Sequence, residues 1–539
     1  MTQFDTPASE ATQSHSGISE MPEQSHPFPT THPAHLAAIA ELSNIQAPDV
    51  YTARVLELGC AAGGNIIPLS FYYPNMTLVG VDNSKTHIEK GQRIIREMGL
   101  TNVQLHCMNI ADITPSLGQF DYIIVHGVYS WVPPEIQDQI LRVVQENLSE
   151  HGVAFISYNV YPGWKIHEIS RDAMQFHARY AETIEEQVQQ GRDFMQFLNS
   201  LAPKDSMYKN MFEKEAQRAK AADSDYIAHE YFEENNLPCY FIDFINHAHA
   251  NNLTYLGDSN FISMFAHEFS LDTQELLHKA SNDQQLELEQ YLDFIKNRSF
   301  RQTLLCHAPQ VERIQRDISE SKLQRICYNC EVEIEEQTNE FGATHYALPQ
   351  QSRKVMQKPI QQAVLKALRA NRLNFLSYEQ LQTCVKNNLG LNDDTVHFDN
   401  SELNECLIQL IFTGYIPPLT QMPQLNHQQT VPSHPQVNPL AMRYALLTGQ
   451  LVSSQHTSKQ TRHDLVLSTL LPLLDGQHSE EELAQHLTQA VLAGHMTFIA
   501  SDTQQAVSDE HFIAHEARMY TRTALEQLCR EGHLISAKS

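Results

Sequence analysis

Basic charge is scarce in this chain. Its 539 residues carry Lys+Arg 37 against Asp+Glu 64, a net charge of −27. That removes the positive field which bulk binding to nucleic acid or an anionic membrane needs. A local patch (Lys354, Lys358, Lys366, Arg369, Arg372) leaves only a narrow opening for DNA. Cysteine is scarce too: 9 residues, odd in number and scattered, which excludes a disulfide framework. Only Cys327-x-x-Cys330 has metal-like spacing. A zinc site would want a second pair nearby, so these two read as free thiols and no metal site is expected. No apolar run reaches membrane-spanning length, which argues against membrane insertion. The first 23 residues are polar and lack a hydrophobic segment, so no signal peptide is expected and the compartment reads as cytoplasmic. The 28 histidines read mostly as surface residues.

Hydrophobic content is 42%, ordinary for a globular protein, and the length is too great for one core. Residues 1–25 read as disordered. A proline-fixed lead-in, His26-Pro27-Phe28-Pro29-Thr30-Thr31-His32-Pro33, opens a helix with Leu36, Ile39 and Leu42 on one face. That helix could lie over a ligand crevice as a lid or simply pack at the N-terminus. Strand–helix alternation follows, with strands expected at 54–58, 77–81, 103–108, 121–125 and 153–158. It means a parallel sheet with helices on both faces. Residues 26–165 form this core. The region 166–345 is a helical insertion that also completes the sheet with strands at 252–256 and 300–306. A winged-helix-like module is expected at 355–416, a Pro/Gln/His-rich linker at 417–440, and a second helical module at 441–539, with an alternating stretch at 444–452.

The chain is organised around Val55-Leu56-Glu57-Leu58-Gly59-Cys60-Ala61-Ala62-Gly63-Gly64-Asn65. A buried strand ends in an acid, a glycine bend follows, and a helix begins with unpaired N–H groups. Glu57-x-Gly59-x-Ala61-x-Gly63 matches the acid-Gly-x-Gly-x-Gly pattern of class I S-adenosylmethionine-dependent methyltransferases, with Ala61 at the middle glycine. A dinucleotide site would need that glycine for close approach to a pyrophosphate. S-adenosylmethionine has no phosphate, and a methyl group is better tolerated there. Asp82 lies about 20 residues on, at the end of strand two, where a carboxylate can accept ribose hydroxyls. Asn109 and Ile110 end strand three, where such enzymes hold adenine, usually with an acid; Asn109 can hydrogen-bond the exocyclic amine, and Asp112 is a rival for that role. Asn65 opens the helix, and His126 ends strand four.

Two aromatic loops follow strands four and five: His126-Gly127-Val128-Tyr129-Ser130-Trp131-Val132-Pro133 and Tyr158-Asn159-Val160-Tyr161-Pro162-Gly163-Trp164. Loops at the carboxyl ends of central strands meet ligands in open α/β sheets. Tyr129, Tyr158 and Tyr161 are the candidates for orienting an acceptor, and Trp131, Asn159 and Trp164 for holding it. No general base is evident. These loops, with His229-Glu230-Tyr231, Tyr240-Phe241, Tyr255-Leu256, Gln290-Tyr291-Leu292-Asp293-Phe294 and Arg301-Gln302-Thr303-Leu304-Leu305, resemble bacterial methyltransferases that carry a methyltransferase regulatory domain. The group looks like the bacterial protein-lysine methyltransferases that modify outer-membrane proteins. The resemblance spans roughly residues 26–415.

The resemblance implies a Rossmann-like, seven-stranded class I methyltransferase sheet with a helical insertion and C-terminal, mostly α, winged-helix-like domains. It implies S-adenosyl-L-methionine as cofactor and a protein (lysine) substrate, and it leaves room for a homodimer. A small-molecule methyltransferase and a non-catalytic cofactor-binding regulator are the rival readings. His229-Glu230-x-x-Glu233 lacks the second histidine of a zincin and reads as structural. No Asn/Asp-Pro-Pro-Tyr follows strand four, which counts against methylation of nucleobase or glutamine nitrogens.

Overall fold

Short apolar runs bounded by turns become the strands of one sheet. β1 (Arg54–Leu58), β2 (Thr77–Asp82), β3 (Val103–Cys107), β4 (Phe120–Val125) and β5 (Leu148–Asn159) are parallel neighbours in the order β3-β2-β1-β4-β5. β5 starts earlier than 153 because Leu148 already pairs with Phe120, and the ladder shifts register before Tyr122. β6 (Leu253–Asp258) and β7 (Phe300–His307) complete seven strands in the order β3-β2-β1-β4-β5-β7-β6, with β7 antiparallel to both neighbours. Strand order reverses at β1, flanked by β2 and β4, so the ligand crevice of such a sheet lies beyond the carboxyl end of β1. This computed structural model describes residues 25–330, 332–338, 344–348, 356–391, 398, 400–499 and 509–536. The expectations for residues 1–24 and for Lys354 lie outside the described residues.

The helices flank that sheet. α1 (Pro33–Leu42) is buried along almost its whole length, so it is a packing helix and not a lid. α2 (Ile67–Tyr72) starts later than 63, because Gly63 at φ +78° still belongs to the turn. α3 (Lys85–Met98) is capped by the Ser84 side chain and stopped by Gly99 at φ +70°. α4 (Pro134–Asn147) leads into β5.

The insertion comprises α5 (Trp164–Ala178), α6 (Ile184–Leu201), α7 (Met207–Ala221) and α8 (Ser224–Ile227), which runs into a π-helical turn at Ala228–Phe232. It has its own small core of Met174, Val188, Met195, Ala216, Ile227 and Tyr231. α9 (Phe241–Ala250), α10 (Leu271–Ala280) and α11 (Gln285–Lys296) return the chain to the sheet. There the fully buried Arg301 guanidinium is locked by Asp293 at 2.8 Å and Glu289 at 2.9 Å, and lies 3.7 Å from the centre of the Phe241 ring.

C-terminal to the sheet, helices stand at Pro359–Ala370, Tyr378–Asn388 and Asn400–Phe412. Segment 417–440 is tied down where it leaves them: the Thr420 N–H donates to Ala34 O at 3.1 Å, and the Val50 N–H to Gln421 Oε1 at 2.6 Å. The stretch 444–452 differs from its alternating pattern. It is a helix, Pro439–Thr448, followed by a short strand, Gln450–Val452. Asn438 starts the helix by accepting the Leu440 and Ala441 N–H groups, Pro439 sits in its first turn, and Gly449 at φ +81° ends it. The strand pairs with Ser458–Gln460 to form a wing. This last unit docks on α2: the Tyr72 hydroxyl donates to Val452 O at 2.8 Å, and the Phe71 and Tyr444 rings are 5.9 Å apart. Several histidines are interior residues, among them His32, His35, His427, His456 and His533.

Candidate active site

A cleft of about 970 Å³ opens at the carboxyl ends of β1 to β5. Its floor is the glycine loop. Gly59 has φ +73°, Ala61 φ +45° and Gly63 φ +78°, so the position that carries alanine in place of the expected glycine adopts the left-handed backbone a glycine would take. A Cβ on Gly59 would stand 2.4 Å from Val128 Cγ2, so the β4 loop closes directly on it. Gly63 shapes the turn from below and is not on the cleft wall, whereas Glu57, Gly59, Ala61, Asn65, Asp82, Asn109, Ile110 and His126 all are.

Hydrogen bonds fix this wall. Asp82 Oδ2 accepts the Ala61 N–H at 2.8 Å, and Oδ1 accepts the Ser84 N–H at 2.8 Å. Asn109 Oδ1 accepts the Ala111 N–H at 2.9 Å, holding the β3 end in a short turn. Asn65 Nδ2 donates to Glu57 Oε1 at 2.8 Å, while Glu57 Oε2 is buried without a protein partner. Burial raises the Glu57 carboxyl to about 8, opposed by the Asn65 hydrogen bond and helped by the nearby Asp82. A buried carboxyl oxygen without a protein partner fits a cationic or donor-bearing ligand.

The segment before α1 covers the loop. The Gly64 N–H donates to Ser25 Oγ at 2.6 Å, the Phe28 N–H donates to Asn65 Oδ1 at 3.0 Å, and the Phe28 ring lies 3.9 Å from the His126 ring. His126 is held neutral, its imidazole pushed down to about 4 by burial and by His26. The lead-in, and not the helix it opens, therefore meets the crevice.

The far wall is aromatic and acidic. Trp131, Asn159 and Trp164 line it, with the Trp131 ring 4.3 Å from His229 and 6.4 Å from Trp164. The insertion adds His167, Arg218, Asp223, Asp225, Glu230 and Glu233. Glu230 and Asp225 are raised by burial, Glu230 despite His229 and Asp225 with help from Asp223. His229 and Glu230 thus stand on the cleft and not in a purely structural place; their π-helical turn turns both toward it. Their signal in the sequence was the His-Glu-Tyr run, and Phe28 stood in the proline-fixed lead-in, whereas Ser25 and the acids of 223–225 carried none.

The three tyrosines expected on the acceptor channel do not line the cleft. The Tyr158 hydroxyl meets Thr303 Oγ1 at 2.8 Å and its ring stacks 4.0 Å from Phe244, inside the sheet's core. The Tyr129 hydroxyl meets His247 Nδ1 at 2.7 Å, and His247 Nε2 meets Asp138 at 2.7 Å. Tyr161 donates to Glu168 Oε1 at 2.5 Å. Successive side chains of β5 point to opposite faces, so Asn159 on the cleft turns Tyr158 into the core. Tyr129 and Trp131 share one 3-10 turn, whose three residues per turn aim the two rings apart.

The sheet order, the glycine loop with Glu57 and Asp82, and the continuous cleft beyond β1 define a class I methyltransferase. The methyltransferase domain model matches residues 51–226, the predicted methyltransferase regulatory domain 223–307, and the PKMT C-terminal winged helix domain 433–533. The chain is 32% identical over 533 residues to the uncharacterized protein RP789 of Rickettsia prowazekii (strain Madrid E), covering 97% of this chain and 94% of that one. It is 39% identical over 230 residues to RP028 of the same organism, covering 42% of this chain and 92% of that one. PKMT2 from Rickettsia typhi, solved in complex with AdoHcy, superposes with a TM-score of 0.82 at 29% identity, covering 95% of this chain and 99% of that one. The chain belongs to this PKMT family of S-adenosylmethionine-dependent methyltransferases, with a regulatory domain and a C-terminal winged helix. Among the described residues, no helix is long and apolar enough to cross a membrane.

Proposed function

We propose that the chain transfers the methyl group of S-adenosylmethionine to the side-chain amine of a protein lysine. One observation carries this: the glycine-loop wall and the acidic, aromatic wall belong to a single cleft. The likeness to PKMT2, solved in complex with AdoHcy, supports the cofactor half. When bound, the cofactor supplies an activated methyl on a sulfonium that is already a good leaving group.

Everything else falls to this chain's residues. Asp82 offers carboxylate oxygens toward ribose hydroxyls, Glu57 Oε2 receives a cationic or donor group, and Asn109 and Ile110 border the adenine side. Phe28 and His126 roof the site and keep water out. Trp131 and Trp164 present aromatic faces that attract an ammonium, as Asp223, Asp225, Glu230 and Glu233 do by charge. The amine nitrogen must lose a proton before its lone pair can bond to the methyl carbon as the carbon–sulfur bond breaks. The raised carboxyls of Glu230 and Asp225 are the groups placed to accept that proton. The enzyme's main contribution is alignment in a dry site.

The test is incubation with cofactor labelled in its methyl group and a cell extract. Label in protein, recovered as methyl-lysine after hydrolysis, is the expected result. Label in small molecules, or transfer to neither, overturns the reading.

A further inference from the structure

We infer that the C-terminal winged helix completes the cofactor site through His456, a positioning residue that acts on the glycine loop by way of Asn65; this rests on the cofactor reading above. His456 sits at the tip of the wing between Gln450–Val452 and Ser458–Gln460, at φ +64°, with 1% of its surface exposed. Its Nε2 lies 2.9 Å from Asn65 Oδ1, across 391 residues of chain.

The Asn65 amide cannot be turned over. Its Oδ1 accepts the Phe28 backbone N–H at 3.0 Å, which can only be a donor, so Nδ2 is the group that donates to Glu57 Oε1 at 2.8 Å and to Thr31 Oγ1 at 3.0 Å. His456 must then donate from a neutral ring, and burial holds its imidazole down at about 3. The consequence is geometric. Asn65 joins three parts of the protein: the covering segment at Phe28 and Thr31, the loop acid Glu57, and the wing. With the His456 donor gone, the amide keeps its bonds to Phe28, Thr31 and Glu57 but loses the one that holds Oδ1 from the wing side. The donor to Glu57 Oε1 and the anchor of the covering segment are then held less rigidly.

The wing is well placed for this. It docks on the helix that follows the glycine loop, through Tyr72 and Phe71. His32 packs edge-on against His456, 5.3 Å between ring centres, closing the gap behind it. A winged helix is ordinarily read as a binding module. Here its wing tip is spent inward on a nucleotide-type site in another domain.

The experiment uses the full chain and titrates S-adenosylhomocysteine by calorimetry, alongside thermal unfolding without ligand. Binding by the unaltered chain is read first, and its absence would overturn the cofactor reading itself. With binding in hand, His456→Ala is expected to raise Kd about tenfold, the loss of one buried hydrogen bond and its anchoring. His456→Gln, whose amide N–H reaches a similar point, is expected to recover Kd to within about twofold. Leu451→Ala loosens the wing's core without touching Asn65 and is expected to lower the unfolding midpoint while leaving Kd near the unaltered value. Unchanged affinity in His456→Ala overturns the inference. So does an equal loss in Leu451→Ala at matched unfolding midpoint, because that result would assign the effect to general loosening of the domain.

Discussion

Asp82 and Ala61 are bound to each other: the carboxylate at the end of β2 accepts the Ala61 N–H at 2.8 Å, so the acid and the glycine loop move as one unit. Asp82→Ala removes the proposed ribose acceptor and unties the loop together. Cofactor Kd is expected to rise at least about 100-fold, the scale of losing charge-assisted hydrogen bonds. Affinity measured by calorimetry within a few-fold of the unaltered chain would refute the assignment.

Gly59 is set by space as well as by φ. Gly59→Ala would drive its Cβ to 2.4 Å from Val128 Cγ2 on a backbone at φ +73°. The variant is expected to lose about 1–3 kcal/mol of stability and most of its cofactor affinity. Adding Val128→Ala removes the clashing methyl and should return part of the stability while the φ strain stays. A double variant no more stable than Gly59→Ala would place the whole cost in the backbone.

Glu57 makes cofactor binding depend on pH. With its carboxyl raised to about 8, it is protonated at neutral pH and costs stability as pH rises from 4.5 toward 8, where the unfolded chain holds fewer protons than the folded one. A cation or donor brought to its free oxygen favours the charged form. Affinity should therefore increase with pH between about 6 and 8, with about one proton released on binding at pH 6–7. Calorimetry in buffers of different ionisation enthalpy counts that proton, and Glu57→Gln should remove the buffer dependence. Identical heats in all buffers for the unaltered chain would rule the mechanism out.

The far wall should govern the acceptor alone. Glu230→Gln and Asp225→Asn are expected to raise KM for a lysine-containing protein about tenfold each, leaving cofactor Kd unchanged. Trp131→Ala should do the same by removing an aromatic face. A parallel loss of cofactor affinity would mean that these residues hold the cofactor side instead.

Acid should loosen the molecule through its buried neutral histidines. His126 and His427 are pushed down to about 4, and His456 and His533 to about 3, all mainly by burial. As pH falls from 6.5 toward 4 the unfolded chain takes up protons that the folded one refuses. Each histidine then costs up to about 1.4 kcal/mol per pH unit. Denaturant unfolding across that window should show falling stability, less steep in His456→Gln. A flat profile would show that these rings gain compensating partners when charged.

The sheet was legible because its signals are local. Residues 54–58 and 121–125 are apolar runs stopped by turn residues, and they fold as β1 and most of β4. The cleft wall at Glu57, Asp82 and Asn109 was legible for the same reason, since each sits at or next to a strand's end. Tyr129 and Tyr158 show where reading stops. Their loops were found, but which neighbour faces the cleft depends on how the loop crosses the sheet, and they turn toward Phe244, His247 and Thr303. The helix Pro439–Thr448 was hidden because Asn438 and Pro439, which start it, read equally well as the end of a linker. His456 had no local signal at all, since its partner lies 391 residues away.

β5 lies beside β7, and the Tyr158–Thr303 pair that joins them spans 145 residues. At about 5–20 residues per second, a ribosome needs roughly 7–30 s to make the intervening chain. During that time the apolar edge of β5 has no neighbour, a state that invites pairing with other chains. The helical insertion is synthesised in that interval and packs on a core of its own, Met174 to Tyr231. The nascent protein can thus carry a folded unit while its sheet is still open, and it is most exposed to aggregation before residue 300 emerges.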